Sequence, residues 1–325
     1  MDGEELTEQE TAVYDRQIRV WGADAQRRLS KSHVLVYGMK GTVAEFCKNI
    51  VLAGVGSLTL LDVRAVTEEA LSSNFLIPPD ESVYSGKSLA ELCCDSLKEL
   101  NPMVRVSVEK GLAANCCFGG EFFDKFDVVV VAGCPLPTKK LINEKCRQLS
   151  KRVAFYAVEC RDLCGEIFVD LQNYKYVKKK LDGTMKCEAQ YPSFQEAISV
   201  PWLTLPRKVS KLYFAMRVIE KFEEVVGRKP GETCIQDLPA VLRMKKELCE
   251  AQSVSESHVP DAVLERLLTG AREFPPVCAI IGGILGQEVI KAISGKGDPL
   301  KNFFFFDAME GKGIIEDIAN SDPEN

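Results

Sequence analysis

The sequence predicts a doubly wound α/β fold, a largely parallel sheet with helices on both faces, and three observations carry that prediction. Apolar runs of strand length, HVLVY at 33–37, SLTLL at 57–61 and DVVVVA at 127–132, alternate with segments of helical periodicity. The first run ends at Gly38 and leads into a helical pattern, and the second ends at Asp62. Strand, glycine turn, helix, strand and acid form the opening unit of a doubly wound sheet. These runs lack polar alternation, as strands buried on both faces do.

The remaining elements follow in order. Thr7-Glu8-Gln9-Glu10 has the form of a capping box, so a helix starts there and carries YDRQIRVWG, residues 14–22. Gly22 punctuates it, and a second short helix is expected over 23–29. After the 33–37 strand, Val43, Phe46, Ile50 and Ala53 share one helical face, with Gly54 as the stop. A helix is expected over 89–100, ending at Asn101-Pro102, then a strand over 104–108. A helix over 138–149 and a strand over 152–158 come next, and 165–170 alternates more than the others, as an antiparallel member would. Composition shifts near Tyr176, and a mainly helical insertion is expected over 178–270, dividing an α/β domain of 1–177 and 271–325. Pro275-Pro276 then opens VCAIIGGILGQEVIKAIS. Its Val277, Ile280, Ile281, Ile284, Ile290 and Ile293 are expected to form a wide apolar face, and Ala279, Gly283 and Gly286 a strip of small residues for close packing. Strands are expected at 303–306, ending at Asp307, and at 313–317.

Bulk properties narrow the function. A net charge of −6 in 325 residues argues against nucleic acid as the main partner. No run approaches the roughly 20 apolar residues of a membrane span, and the acidic start MDGEELTEQE is neither a signal nor a transit peptide. The thirteen cysteines include no C-x-x-C, and His33 and His258 are the only histidines, so no structural zinc site is expected. Reduced thiols of a nuclear or cytosolic protein are the plain reading.

The glycine turn is incomplete. A dinucleotide loop needs G-x-G-x-x-G: a tight turn, close approach to phosphate, and close helix–strand packing. Here the turn is Gly38-Met39-Lys40-Gly41-Thr42-Val43, with Lys40 and Val43 in place of the second and third glycines. Asp62 stands where a ribose-binding acid would stand, and alone it does not rescue the site. The turn is read as a structural remnant, with no nucleotide and no metal bound by this chain.

Several motifs together carry a resemblance: YDRQIRVWG, NPMVRV at 101–106, PPVCAIIGGILGQEVIKAIS and NFFFFDAMEGKGI. The chain resembles the adenylation-domain family of ubiquitin-like-protein activating enzymes (E1). Within it, the chain is most similar to the smaller, AOS-type subunits of SUMO-activating heterodimers. The resemblance covers most of the chain and is thinnest over 178–270. It implies the doubly wound, Rossmann-like ThiF adenylation fold, here as a pseudo-adenylation domain. In such pairs the active half binds ATP and magnesium, adenylates the modifier and takes it as a thioester. Its phosphate-binding arginine is missing after Ser73-Asn74. Leu89 replaces its lysine in Gly86-Lys87-Ser88-Leu89-Ala90, and Gly133-Cys134-Pro135 replaces its magnesium-binding aspartate. Lys87 is read as a surface lysine. The catalytic P-x-C-T motif is absent as well, and Cys278 is expected to be buried and inert.

What remains is Arg16, in Tyr14-Asp15-Arg16-Gln17. By chemistry alone it is a solvated helix arginine or the partner of Asp15 or Glu10. The resemblance implies that it reaches in trans into the ATP site of the other subunit, where an always-charged fork suits a polyphosphate. Arg19, one turn on, is either a supporting group or a plain surface residue. The resemblance further implies an obligate heterodimer with a larger, cysteine-bearing catalytic subunit. SUMO and the SUMO E2 are met through the complex, with no nucleic acid or membrane partner, and the location is the nucleus with a cytoplasmic pool. The alternatives are a regulatory subunit for another modifier of NEDD8 type, whose longer insertion this chain has no room for, a homodimeric sulfur-carrier adenylating enzyme, and a nucleotide-dependent oxidoreductase.

Overall fold

The computed structural model describes residues 6–110, 119, 121–180, 183–270 and 272–319. Three short helices open the chain: α1 (Glu8–Val13), α2 (Asp15–Trp21) and α3 (Ala23–Ser30). The capping box is formed, with the Thr7 hydroxyl accepting from the Glu10 amide and the Glu10 carboxylate accepting from that of Thr7. The expected helix through residue 22 is broken at Tyr14. That ring is buried, and its hydroxyl accepts a hydrogen bond from Asn101 Nδ2 at 2.9 Å. Gly54 leaves the room the ring fills, since a Cβ there would lie 2.8 Å from Tyr14 Cε1.

The α/β core follows as β1 (His33–Tyr37), α4 (Gly41–Leu52), β2 (Ser57–Leu61), α5 (Glu68–Ser73), α6 (Leu89–Leu100), β3 (Arg105–Val108), β4 (Val128–Ala132), α7 (Leu136–Arg147), β5 (Ala154–Arg161) and β6 (Cys164–Asp170). A hairpin comes next, β7 (Asn173–Lys180) and β8 (Gly183–Gln190), then α8 (Phe194–Ile198), α9 (Lys211–Val226), α10 (Leu238–Ala251), α11 (Asp261–Thr269), α12 (Pro275–Ser294), β9 (Phe303–Asp307) and β10 (Lys312–Glu316). The main sheet has the order β10-β9-β6-β5-β4-β1-β2-β3. Strands β3, β2, β1, β4 and β5 run parallel, and β6, β9 and β10 extend the sheet antiparallel, β6 as its alternation predicted. Strand order reverses between β1 and β4, so the crevice beyond their C-terminal ends is where this topology places a ligand.

One face of the sheet is covered by α4, α6 and α12, which share a core with Val34, Val36, Leu58, Leu60, Val128 and Val130. Helix α12 packs along α4, closely at Gly286 as expected, but at Gly282 in place of Gly283 and Ala279. A Cβ on Gly282 would lie 2.6 Å from Glu45 Cβ and 2.7 Å from the Thr42 carbonyl oxygen, and one on Gly286 3.3 Å from Asn49 Cβ. Gly283 has open space beside it, Ala279 is exposed and Ile280 is 41% exposed. The spacing of small residues located the contact, but the rotation of α12 about its axis, set by Val277, Ile281 and Leu285 facing the sheet, chose Gly282. By length and hydropathy α12 could cross a membrane, against the expectation that no run comes close, yet just over half of it is buried in the protein.

The other face is covered by α7 to α11. Phe168, Phe194, Tyr213, Phe303 and Phe305 form its aromatic centre, with Phe168 ring centroids 5.0 Å from both Phe194 and Phe303. The stretch expected to be mainly helical from residue 178 instead starts inside β7. Tyr174 and Tyr176 stack at 5.6 Å, and the Tyr174 hydroxyl donates to the Lys291 carbonyl at 2.6 Å. The lysine run masked this period-two pattern. Helices begin only at Phe194. Buried ion pairs bind α9 to the sheet, Arg217 to Glu166 at 2.7 Å and Arg161 to Glu223 at 2.9 Å, while Glu220 pairs with Arg217 of its own helix at 2.8 Å and with Lys139 of α7 at 2.9 Å.

Candidate functional site

Gly38, at the end of β1, has φ +90°, and a Cβ there would collide with the Ala132 carbonyl at the end of β4. The tight turn is therefore intact at the switch point. Lys40 is the N-cap residue of α4, and Gly41 and Thr42 begin it. Helix N-termini hold unpaired N–H groups and a positive dipole end, the usual seat for a phosphate. Here that seat is taken by the carboxylate of Glu273, from the segment entering α12. It accepts from Gly41 N–H at 2.6 Å, Thr42 N–H at 3.3 Å, Thr42 Oγ1 at 2.8 Å and Ser73 Oγ at 3.3 Å. Gly41 itself is needed for the approach of Ser73, whose Cβ would be 2.6 Å from an added Cβ.

Burial raises the Glu273 carboxyl above its usual range, while Lys40 and the Thr42 and Gly41 hydrogen bonds oppose that rise. Lys40 Nζ lies 2.8 Å from Glu69 Oε1. Burial would lower the Lys40 ammonium, but Glu273 and Glu69 outweigh it and the group is raised. The lysine that displaces the second loop glycine thus neutralises the carboxylate filling the cradle, and its stem lies over Gly133. Val43, where the third glycine would be, is fully buried.

Asp62 is similarly occupied. Its Oδ2 accepts from Met39 N–H at 2.7 Å and Arg64 Nη2 at 2.6 Å, and its Oδ1 from Arg64 Nε at 2.9 Å and Arg64 N–H at 3.0 Å. The space between Lys40, Arg64, Ser73 and Glu273 is about 40 Å³, room for about one water. A larger hollow of about 260 Å³ opens beyond it, lined by Tyr37, Gly38, Arg64 and Lys229. The residues at the turn do not fit a nucleotide: the phosphate seat holds a carboxylate and both oxygens of the ribose-side acid are engaged.

The structure also places the other positions that the resemblance singled out. Leu89 is buried, and its N–H donates to the Arg64 carbonyl at 2.8 Å. Lys87 is a surface residue paired with Asp95 at 3.1 Å. Cys134 is fully buried, and burial pushes its thiol far up. Cys278 is fully buried on α12, as expected. Cys116 and Cys117 lie outside the described residues. No cluster of His, Cys, Asp and Glu among the described residues could hold a metal ion.

Arg16 is elsewhere. Asp15 pairs with Arg19 at 2.9 Å and Glu10 is committed to Thr7, so neither acid is taken up by Arg16. Arg16 is exposed and has no ion pair among the described residues. Its helix is fastened at the far end of α4, where Gln17 Nε2 donates to the Leu52 carbonyl at 3.2 Å and Trp21 Nε1 to Gln26 Oε1 at 3.0 Å. Helix α4 has 12 residues, about 18 Å of length. The tertiary structure therefore brings together Gly38, Lys40, Gly41 and Asp62, and leaves Arg16 and Arg19 outside that group. Glu273 escaped sequence reasoning, because its partner Gly41 is 232 residues away.

Residues 14–324 match the ThiF family. The chain is 70% identical over 321 residues to SUMO-activating enzyme subunit 1A of Arabidopsis thaliana, covering 99% of each. It is 34% identical to SUMO-activating enzyme subunit 1 of Danio rerio, covering 96% of this chain and 95% of that one. The solved structure of SeMet PaaA superposes with a TM-score of 0.62 at 17% identity, covering 98% of this chain and 86% of that one, and shares the fold. Matched over nearly its whole length, with the turn and strand order of that fold in place, the chain belongs to the ThiF family, in the branch of the SUMO-activating enzyme subunit 1 proteins.

Proposed function

We propose that this chain is the non-adenylating half of a heterodimeric SUMO-activating enzyme. The observation that carries this reading is the Glu273 carboxylate in the phosphate seat of α4, with Lys40 as its counter-charge. The chain binds neither ATP nor magnesium; the larger, cysteine-bearing partner subunit holds both. The partner adenylates SUMO and takes it as a thioester before the E2 is reached through the complex, with the nucleus as the main location and a cytoplasmic pool. Exposed apolar side chains on the helical layer that carries Arg16, Val20 at 81%, Val13 at 58% and Leu52 at 46%, support a partner on that side.

Arg16 is the group this chain contributes to the chemistry. Its guanidinium is exposed, unpaired among the described residues and held on a helix anchored by Tyr14, Gln17 and Trp21. Reaching the partner's polyphosphate, it stabilises negative charge as pyrophosphate departs. Arg19, tied to Asp15, keeps that acid away from Arg16.

The test is ATP–pyrophosphate exchange by the assembled pair in the presence of SUMO. Arg16→Ala is expected to slow exchange on the order of 10²–10³-fold, as for loss of one charge-stabilising donor, with the pair still intact by gel filtration. Exchange at the wild-type rate sinks the role of Arg16. Tight binding of ATP by the isolated chain sinks the reading of the occupied cradle.

A further inference from the structure

On the face of the sheet away from Arg16, a groove of about 410 Å³ runs between the start of α9, α11 and the β9–β10 hairpin. Arg207, Lys208, Lys211 and Lys312 line it, are all exposed, and take part in no ion pair among the described residues. Five basic groups face two acidic ones, Asp307 and Glu310, in a chain whose net charge is −6. Arg266 and Asp307 pair at its base, which leaves Arg266 Nε buried without a hydrogen-bond partner. Phe305, Ile314 and Val263 supply an apolar floor.

Two features make this a shaped surface and not a scatter of lysines. Ser210 N–H donates to Glu316 Oε1 at 2.9 Å, which fixes the loop carrying Arg207 and Lys208 against β10. In addition, β10 is the terminal strand of the main sheet and, among the described residues, pairs only with β9. An outer strand beside cations that have no ion pair among the described residues suits an extended chain whose every second side chain faces the groove and is in turn acidic and apolar, since Lys312 and Ile314 share one face of β10. The basic excess excludes a basic segment, and the rigid walls lower the ordering cost of binding.

We propose that this groove docks an acidic peptide segment of another protein, laid in extended form along β10. Its carboxylates meet Arg207, Lys208, Lys211 and Lys312, and the apolar side chains on that same face rest on Ile314 and Val263. Because the groove is on the α9–α11 side, it stays open when a partner covers the α2–α4–α12 side.

The test uses the full chain and a fluorescein-labelled peptide of repeating glutamate-serine-valine-serine, which places glutamate and valine on one face when extended, read by fluorescence anisotropy. The variant Arg207→Glu/Lys208→Glu/Lys211→Glu/Lys312→Glu is expected to weaken binding by about tenfold or more, and added salt to weaken it in the wild type. The variant Lys175→Glu/Lys179→Glu/Lys186→Glu, on the exposed β7–β8 hairpin, is expected to bind as the wild type does. On the unaltered chain, the peptide is expected to slow amide hydrogen exchange over Lys312–Glu316, a reading that does not depend on any variant folding. Absence of peptide binding, absence of protection at β10, equal loss in the hairpin variant, or equally tight binding of a single-stranded oligonucleotide would each overturn the proposal.

Discussion

The carboxylate of Glu273 lies 2.6 Å from the backbone nitrogen of Gly41, across 232 residues of sequence. A side chain from the segment before α12 thus does for α4 what a bound phosphate does for such helices elsewhere. It satisfies two orphan N–H groups, a hydroxyl of Thr42 and one of Ser73, and Lys40, itself paired with Glu69, places a positive charge nearby. The contact also ties α12 to the turn after β1 and makes a structural joint there.

The first prediction concerns pH. Burial raises the folded-state pKa of Glu273 above the usual 4.5. Between those two values the folded chain holds more protons than the unfolded one, so this group makes stability fall as pH rises through the window. Glutamine at 273 cannot titrate. The stability of Glu273→Gln relative to wild type is therefore expected to improve with rising pH above 4.5, as read from urea midpoints across a pH series. A difference that stays constant with pH refutes the raised pKa.

Emptying the cradle is expected to create an anion site. In Glu273→Ala the Gly41 and Thr42 N–H groups and Thr42 Oγ1 lose their shared acceptor, and Lys40 keeps Glu69 but loses the negative charge of Glu273. Inorganic phosphate should then raise the melting temperature of the variant, and not that of wild type, since a ligand that binds only the folded state stabilises it by mass action. An equal response of both proteins to phosphate removes the argument.

Two neighbouring glycines of α12 are expected to respond in opposite directions to alanine. A Cβ at Gly282 meets Glu45 Cβ and the Thr42 carbonyl, so Gly282→Ala is expected to cost about 1–3 kcal/mol. Gly283 has nothing within 4 Å, and Gly283→Ala is expected to stabilise by roughly 0.5–1 kcal/mol through helix propensity. Chemical denaturation of both variants decides it; the reverse order would mean that α12 is rotated from the position described.

Arg217 is the hinge of the buried ion network, touching Glu166 on β6 and Glu220 on its own helix. Arg217→Met leaves Glu166 buried without its cation, and a loss of about 3–5 kcal/mol is expected in denaturant titration. Adding Glu166→Leu is expected to recover part of that loss, because the uncompensated charge is then gone. If the double variant is less stable than the single one, the network is not paired as described.

Arrangement along the chain was legible wherever the physics is local. The capping box at Thr7, the strands at 33–37 and 57–61, and the Pro-led helix at 275 each announced themselves by spacing or by a residue with one backbone use. The β7–β8 hairpin was missed because its two inward tyrosines are set among lysines, and helix α5 because its six residues are too few to show a period. Within the site, the missing glycines at Lys40 and Val43 were visible, but the carboxylate that occupies the N-terminus of α4 was not.

By itself the sequence determined the order and kind of most core elements, the incomplete glycine turn and the family, because each rests on residues close together or on motifs held in one stretch. Only the tertiary structure decided that Glu273 fills the seat at Gly41, that Arg64 takes both oxygens of Asp62, and that Arg16 stands at the opposite end of α4. Those pairings depend on where the sheet and α12 carry distant segments, and a carboxylate's choice of partner is settled by burial and distance, which no local pattern of residues encodes.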